Sequence, residues 1–88
     1  MWVKTMDKIL IKLYVPAIEE NYDIKIPLNK KVTDIIMLLL KAIDEFSGGS
    51  YKPERIPHLY NLLTEEVIDA DLKVREANIK NGMQLLLI

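Results

Sequence analysis

The sequence predicts an α+β domain in which one main helix packs across a mixed sheet of four to five strands. Three observations carry this prediction. Apolar and polar residues alternate over two successive stretches between Lys8 and Leu28; the apolar spacing then lengthens to three and four between Val32 and Phe46; and a turn signal at Asn81–Gly82 leads directly into a last apolar run that reaches Ile88. Period two marks half-buried strands, and spacings of three and four mark one face of a helix.

The first strand is "KILIKLYV", residues 8–15, with Ile9, Ile11, Leu13 and Val15 on one side and Lys8, Leu10, Lys12 and Tyr14 on the other. "PAIEEN" carries Pro16 and Asn21 at turn positions, and "YDIKIPL" then alternates again, so that Tyr22, Ile24 and Ile26 face away from Asp23 and Lys25. The two strands form a hairpin with a loop of several residues. Past Pro27 a helix starts near Lys31, buries Val32, Ile35, Leu39, Ala42, Ile43 and Phe46, and ends at "SGGS", where Gly48 is a natural terminator. Residues 47–57 hold two glycines and two prolines and read as a loop. A short strand is expected around His58 to Leu62 and another at Val67–Ile68, joined by the turn "TEE". "LKVREANI" reads as a short helical turn that Asn78 ends in the left-handed conformation, and Met83 to Ile88 form the last strand.

Composition excludes several functions before any motif is considered. At 88 residues the chain is one domain, expected to bury roughly 60–65% of the surface its unfolded form would expose. Twelve basic residues against thirteen acidic ones give a net charge of −1, without the basic field that neutralises nucleic-acid phosphates. There is no cysteine, hence no disulfide framework, thiolate nucleophile or cysteine zinc site, and a reducing compartment fits. "MWVKTMDK" is too short of apolar residues for a signal peptide, and "IIMLLL" is far below the roughly 18 apolar residues a membrane span needs. A chain that is neither exported nor inserted in a membrane is expected.

The order of elements is similar to the β-grasp fold of ubiquitin, and "LKVREANIKNGMQLLLI" resembles the ubiquitin-like signature through Asn78–Ile79 and Asn81–Gly82. "ILIKLYV", "YDIKIPLNKKVTDII" and that closing run also resemble, in order and spacing, the small YukD/EsaB-type ubiquitin-like proteins of Gram-positive type VII secretion loci. The resemblance covers residues 7–88 as a single ubiquitin-like domain and leaves residues 1–6 as an N-terminal extension. It implies a cytoplasmic, non-catalytic protein-interaction module, an accessory or regulator of a bacterial type VII-like secretion system, with cytoplasmic parts of the membrane machinery as partners. Two alternatives stand beside it. One is a ubiquitin-like modifier or sulfur carrier, which needs the flexible Gly–Gly tail that this sequence does not show after Leu87 and Ile88. The other is a generic β-grasp adaptor.

Candidate chemistry is sparse. His58 has no second histidine and no cysteine to form a metal site or catalytic pair with. Glu19–Glu20 and Glu65–Glu66 read as solvated turn charges, and "SGGS" follows a helix rather than opening one, unlike a phosphate-binding loop. No enzyme activity, cofactor, metal, nucleic acid or membrane insertion is expected. Two apolar surplus features remain. If Leu85 and Leu87 face the helix, then Leu86 and Ile88 face outward, and with Leu10, Tyr14 and Tyr60 they make a candidate protein-binding surface. The alternative at the third strand is that Leu59 points out instead of Tyr60. Trp2 and Val3 could also fold over the patch. The partner is a protein, with a weak homodimer as a second form. The helix is apolar almost all round at Ile36, Met37, Leu38 and Leu40, and the loop at 47–57 is expected to cover it through Tyr51 and Ile56, the alternative cover being another chain.

Overall fold

The computed structural model describes residues 8–88. The N-terminal extension at 1–6, the proposed domain start at residue 7 and the cover by Trp2 and Val3 lie outside the described residues.

Strand β1 (Lys8–Val15) and strand β2 (Glu20–Pro27) pair antiparallel in one unbroken register from Lys8 opposite Pro27 to Val15 opposite Glu20. The connection is a 3₁₀ turn over Pro16–Ile18, and Glu19 closes it with φ 54. Helix α1 spans Val32–Phe46. Strand β3 (Leu59–Asn61), a 3₁₀ turn at Val74–Ala77 and strand β4 (Gln84–Leu87) complete the chain. The sheet order is β2-β1-β4-β3, with β4 parallel to β1 and antiparallel to β3.

The period-two reading of β1 holds from Leu10 to Val15, and Ile9 at the start of the strand is half-buried. Ile11, Leu13 and Val15 are fully buried, as are Leu59, Leu85 and Leu87 on the other strands, and they meet Val32, Ile35, Leu39 and Ile43 of α1 in one core. Fully burying one such side chain contributes about 1.5–3 kcal/mol. That face of the sheet belongs to the helix, and the opposite face turns outward.

Four expectations are corrected. The Val67–Ile68 stretch is not a strand but makes only an isolated bridge, Tyr60 to Val67, which leaves four strands, within the four to five expected. Phe46 is 57% exposed: it lies on the last turn of α1 and stacks against Tyr22, with ring centroids 5.3 Å apart. The loop after α1 sends Tyr51 into the core but leaves Ile56 60% exposed, so it does not cover the helix through both residues. Met37 and Leu38 each stay 51% exposed, whereas Ile36 is buried. At the third strand the open alternative resolves: Leu59 points in and Tyr60 out.

Backbone hydrogen bonds explain how α1 begins. Its first residues have no side-chain cap; instead the N–H groups of Val32 and Thr33 donate to the carbonyls of Leu72 and Ala70, at 2.8 and 3.0 Å. These are donors that a helix start otherwise leaves without partners. The same strap continues with Val74 N–H to the Lys30 carbonyl at 2.9 Å and Arg75 N–H to the Leu28 carbonyl at 3.1 Å. Glu76 secures the 3₁₀ turn by accepting from Lys73 N–H at 2.9 Å, and Asn78 ends it with φ 60.

Candidate protein-interaction surface

Register determines which outward residues meet. Tyr14 stands opposite Leu86, Leu86 opposite Tyr60, and Tyr60 opposite Val67. Directly opposed residues share a face and lie close enough for side-chain contact. Tyr14, Leu86, Tyr60 and Val67 therefore form one apolar row straight across β1, β4, β3 and the returning chain. Tyr14, Leu86 and Tyr60 are half-buried, flanked by one another, while Val67 at the end of the row is 56% exposed.

Ile88 lies beside this row. Its N–H donates to the His58 carbonyl at 3.0 Å and its carbonyl accepts from His58 N–H at 2.7 Å, which carries the β3–β4 ladder one pair further. Ile88 and His58 thus form the adjacent row, and the His58 ring meets Tyr60 edge-on at 6.4 Å. Of the five residues expected to form the patch, Tyr14, Tyr60, Leu86 and Ile88 are brought together. Leu10 is not. Lys12 opposite Gln84 lies between it and the Tyr14–Leu86 pair, and Leu10 itself sits beside the Asn81–Gly82 turn. Two residues along a strand is a full step of about 6.6 Å, enough to set a polar row between them.

Val67 is the residue that sequence reasoning missed. A short strand was expected there, but its register against Tyr60 depends on how the "NLLTEE" turn closes. Asn61 closes it, its side-chain oxygen accepting from Leu63 and Thr64 N–H at 2.9 and 3.2 Å, with Glu65 at φ 63. Asn81 plays a comparable part at the start of β4, where its side-chain oxygen accepts from Leu10 N–H at 2.8 Å.

Beyond the row, the first turn, the loop and the end of β4 enclose an open groove of about 600 Å³. Pro16, Pro53, Pro57, Tyr51 and Ile88 supply apolar walls, and Lys52, Glu54, Arg55 and His58 supply charged and polar groups. Burial raises the Tyr51 phenol above its ordinary value of 10.0. Both glutamate pairs are exposed, with Glu19 and Glu65 occupying left-handed turn positions. Among the described residues no three His, Cys, Asp or Glu side chains gather as metal ligands, and no helix is long and apolar enough to cross a membrane.

Comparison with solved structures places this architecture. The ubiquitin-like domain of the Mycobacterium tuberculosis type VII secretion system protein ECCD1 superposes with a TM-score of 0.74 over 94% of this chain and 99% of that one, at 12% identity. The fold is a ubiquitin-like β-grasp. A chain of the ESX-5 inner membrane complex matches with a TM-score of 0.77 over 94% of this chain, at 13% identity, and this chain spans only 21% of that larger one. A structure described as molecular mimicry of SUMO in DNA repair matches with a TM-score of 0.69 at 18% identity, covering 97% of this chain and 95% of that one. Such low identities establish the shared β-grasp and leave the activity to the site. No protein-family model matches the chain, and no curated protein matches it.

Proposed function

We propose that this β-grasp is a non-catalytic interaction module that serves a type VII-like secretion system from the cytoplasmic side, using the outer sheet face as its working surface. The observation that carries the reading is the row Tyr14, Leu86, Tyr60 and Val67, an apolar band on the sheet face that the helix does not cover. Contiguous apolar surface of this kind marks partner sites, and aromatic residues are enriched at their centres. The likeness to ubiquitin-like domains of secretion components supports the choice of partner: a cytoplasmic part of the membrane-bound machinery.

Leu86→Glu tests it. Leu86 lies in the middle of the row with Tyr14 on one side and Tyr60 on the other, so a carboxylate there is desolvated in any complex that buries the row. Titration calorimetry against purified cytoplasmic domains of the secretion machinery from the same host is expected to show binding by the parent chain. Binding should fall by about a hundredfold or more in the variant, as for a central interface residue. Circular dichroism should remain native, with stability changed by about 1 kcal/mol or less. Equal binding by parent and variant would remove the sheet face from consideration.

A further inference from the structure

Among the described residues nothing pairs with the outer edge of β2, and the residues along it are arranged so that a second copy of the same edge fits it. Three hydrogen bonds establish the geometry. Lys12 N–H donates to the Met83 carbonyl at 2.9 Å, Gly82 N–H to the Leu10 carbonyl at 2.6 Å, and Leu10 N–H to the Asn81 side chain at 2.8 Å. The even-numbered residues of β1 therefore direct their backbone groups toward β4. Because alternate residues of a strand address opposite edges, Ile9, Ile11, Leu13 and Val15 address β2. Their partners Ile26, Ile24, Tyr22 and Glu20 point back at them. Asn21, Asp23 and Lys25 are left with N–H and C=O directed away from the sheet. Among the described residues, none of these backbone groups has a hydrogen bond to another element.

An open edge eight residues long is a template for another strand, and natural proteins usually blunt such edges. Here the two charged residues whose backbone groups face outward, Asp23 and Lys25, are of opposite sign and two residues apart, with side chains exposed on the outer face. Two copies of β2 brought together antiparallel can pair outward-pointing residues in few registers. One sets Asp23 against Asp23, like charges directly opposed and therefore unfavourable. Only the register centred on Ile24 opposite Ile24 sets Asp23 of each copy against Lys25 of the other, twice. Each Asp23–Lys25 pair then exchanges both backbone hydrogen bonds. Half-buried Ile24 meets its own copy on the helix side, and Tyr22 comes opposite Ile26. Pro27, lacking an N–H, ends the ladder where it falls opposite Asn21. The two-fold axis runs perpendicular to the sheet, so both helices stay on one side and both Tyr14–Leu86–Tyr60 rows on the other.

We propose that the chain forms a two-fold symmetric dimer through β2, with Asp23 opposite Lys25, giving one continuous eight-stranded sheet. The outer face of each copy stays free for a partner, which the dimer presents twice.

Sedimentation velocity over a concentration series tests the pairing. The parent chain is expected to move from 10.2 kDa toward twice that mass. Asp23→Lys and Lys25→Asp each place like charges opposite one another twice, and each alone should weaken association by about tenfold or more. Mixed in equal amounts, the two variants restore both opposite-charge pairs and should associate as the parent does. That recovery also shows that neither substitution has damaged the fold. Register is read separately from Ile24→Cys, since the chain has no other cysteine. At a non-hydrogen-bonded antiparallel site the Cα atoms are about 4.5 Å apart, within disulfide range, so mild oxidation should cross-link that variant into a dimer. A protein that stays monomeric at about millimolar concentration, a dimer indifferent to both charge reversals, or a dimer abolished by Leu86→Glu instead would overturn the proposal.

Discussion

The two edges of this sheet are built differently. At β3 the edge is three residues long, and the chain returns to close it: Asn61 N–H donates to the Glu66 carbonyl at 2.9 Å and Ile68 N–H to the Leu59 carbonyl at 2.8 Å. At β2 the edge is eight residues long and no described residue returns to it. Nearby residues reflect the same contrast. Leu59 is fully buried, whereas Ile24 is only half-buried and Phe46 beside Tyr22 stays largely exposed. One side of the domain is thus finished by its own chain, while on the other the outward backbone groups of Asn21, Asp23 and Lys25 have no partner among the described residues.

Three measurements test that contrast. The largest effect is expected from Leu59→Ala, which removes a fully buried side chain and should cost about 2–5 kcal/mol in denaturant unfolding. Ile24→Ala on the open side should cost about half as much, since part of Ile24 already meets water. Equal costs would show that the β2 side is as closed as the β3 side. Next comes amide hydrogen exchange. The N–H groups of Asn21, Asp23 and Lys25 should exchange about tenfold or more faster in dilute solution than those of Asn61 and Ile68, because among the described residues only the latter are hydrogen-bonded. Their slowing as concentration rises would locate self-association at β2.

The smallest effect concerns Tyr51, in the groove shared with Lys52, Glu54, Arg55 and His58. Its phenol is held above 10.0 by burial, so from about pH 10 upward the unfolded chain loses this proton before the folded one does. The folded state then binds more protons, and stability falls as pH rises through that range. Tyr51→Phe is expected to flatten the alkaline decline in thermal midpoint while leaving the neutral value nearly unchanged. An identical alkaline slope in the variant would mean that Tyr51 is not desolvated.

Much of this domain was legible residue by residue. The alternation of Ile9, Ile11, Leu13 and Val15 predicted the inward face of β1, and the spacing of Val32, Ile35, Leu39 and Ile43 predicted the buried stripe of α1, because burial repeats with the geometry of each element. Periodicity failed where an element ends. Phe46 has the right spacing but is largely exposed, and Val67 and Ile68 have strand composition but only one bridge. The candidate patch was legible as a set of outward residues, not as a row. Leu10 and Tyr14 share a face of β1, and only the parallel register of β4 sets Leu86 beside Tyr14 and a polar pair beside Leu10.

The sequence by itself determined the local periods, the left-handed stop at Asn78, the turn at Asn81–Gly82 and which side of each strand is apolar, all of which depend on residues adjacent along the chain. The tertiary structure decided how those pieces meet. It fixed the start of α1 through carbonyls of Ala70 and Leu72 rather than a capping side chain, the alignment of Tyr14, Leu86, Tyr60 and Val67, and the outward direction of the Asn21, Asp23 and Lys25 backbone. Each of these depends on backbone hydrogen bonds between segments distant in the chain. Such bonds join peptide groups common to all residues, so side-chain pattern specifies the face a strand buries but leaves its register and its free edge to the assembled sheet.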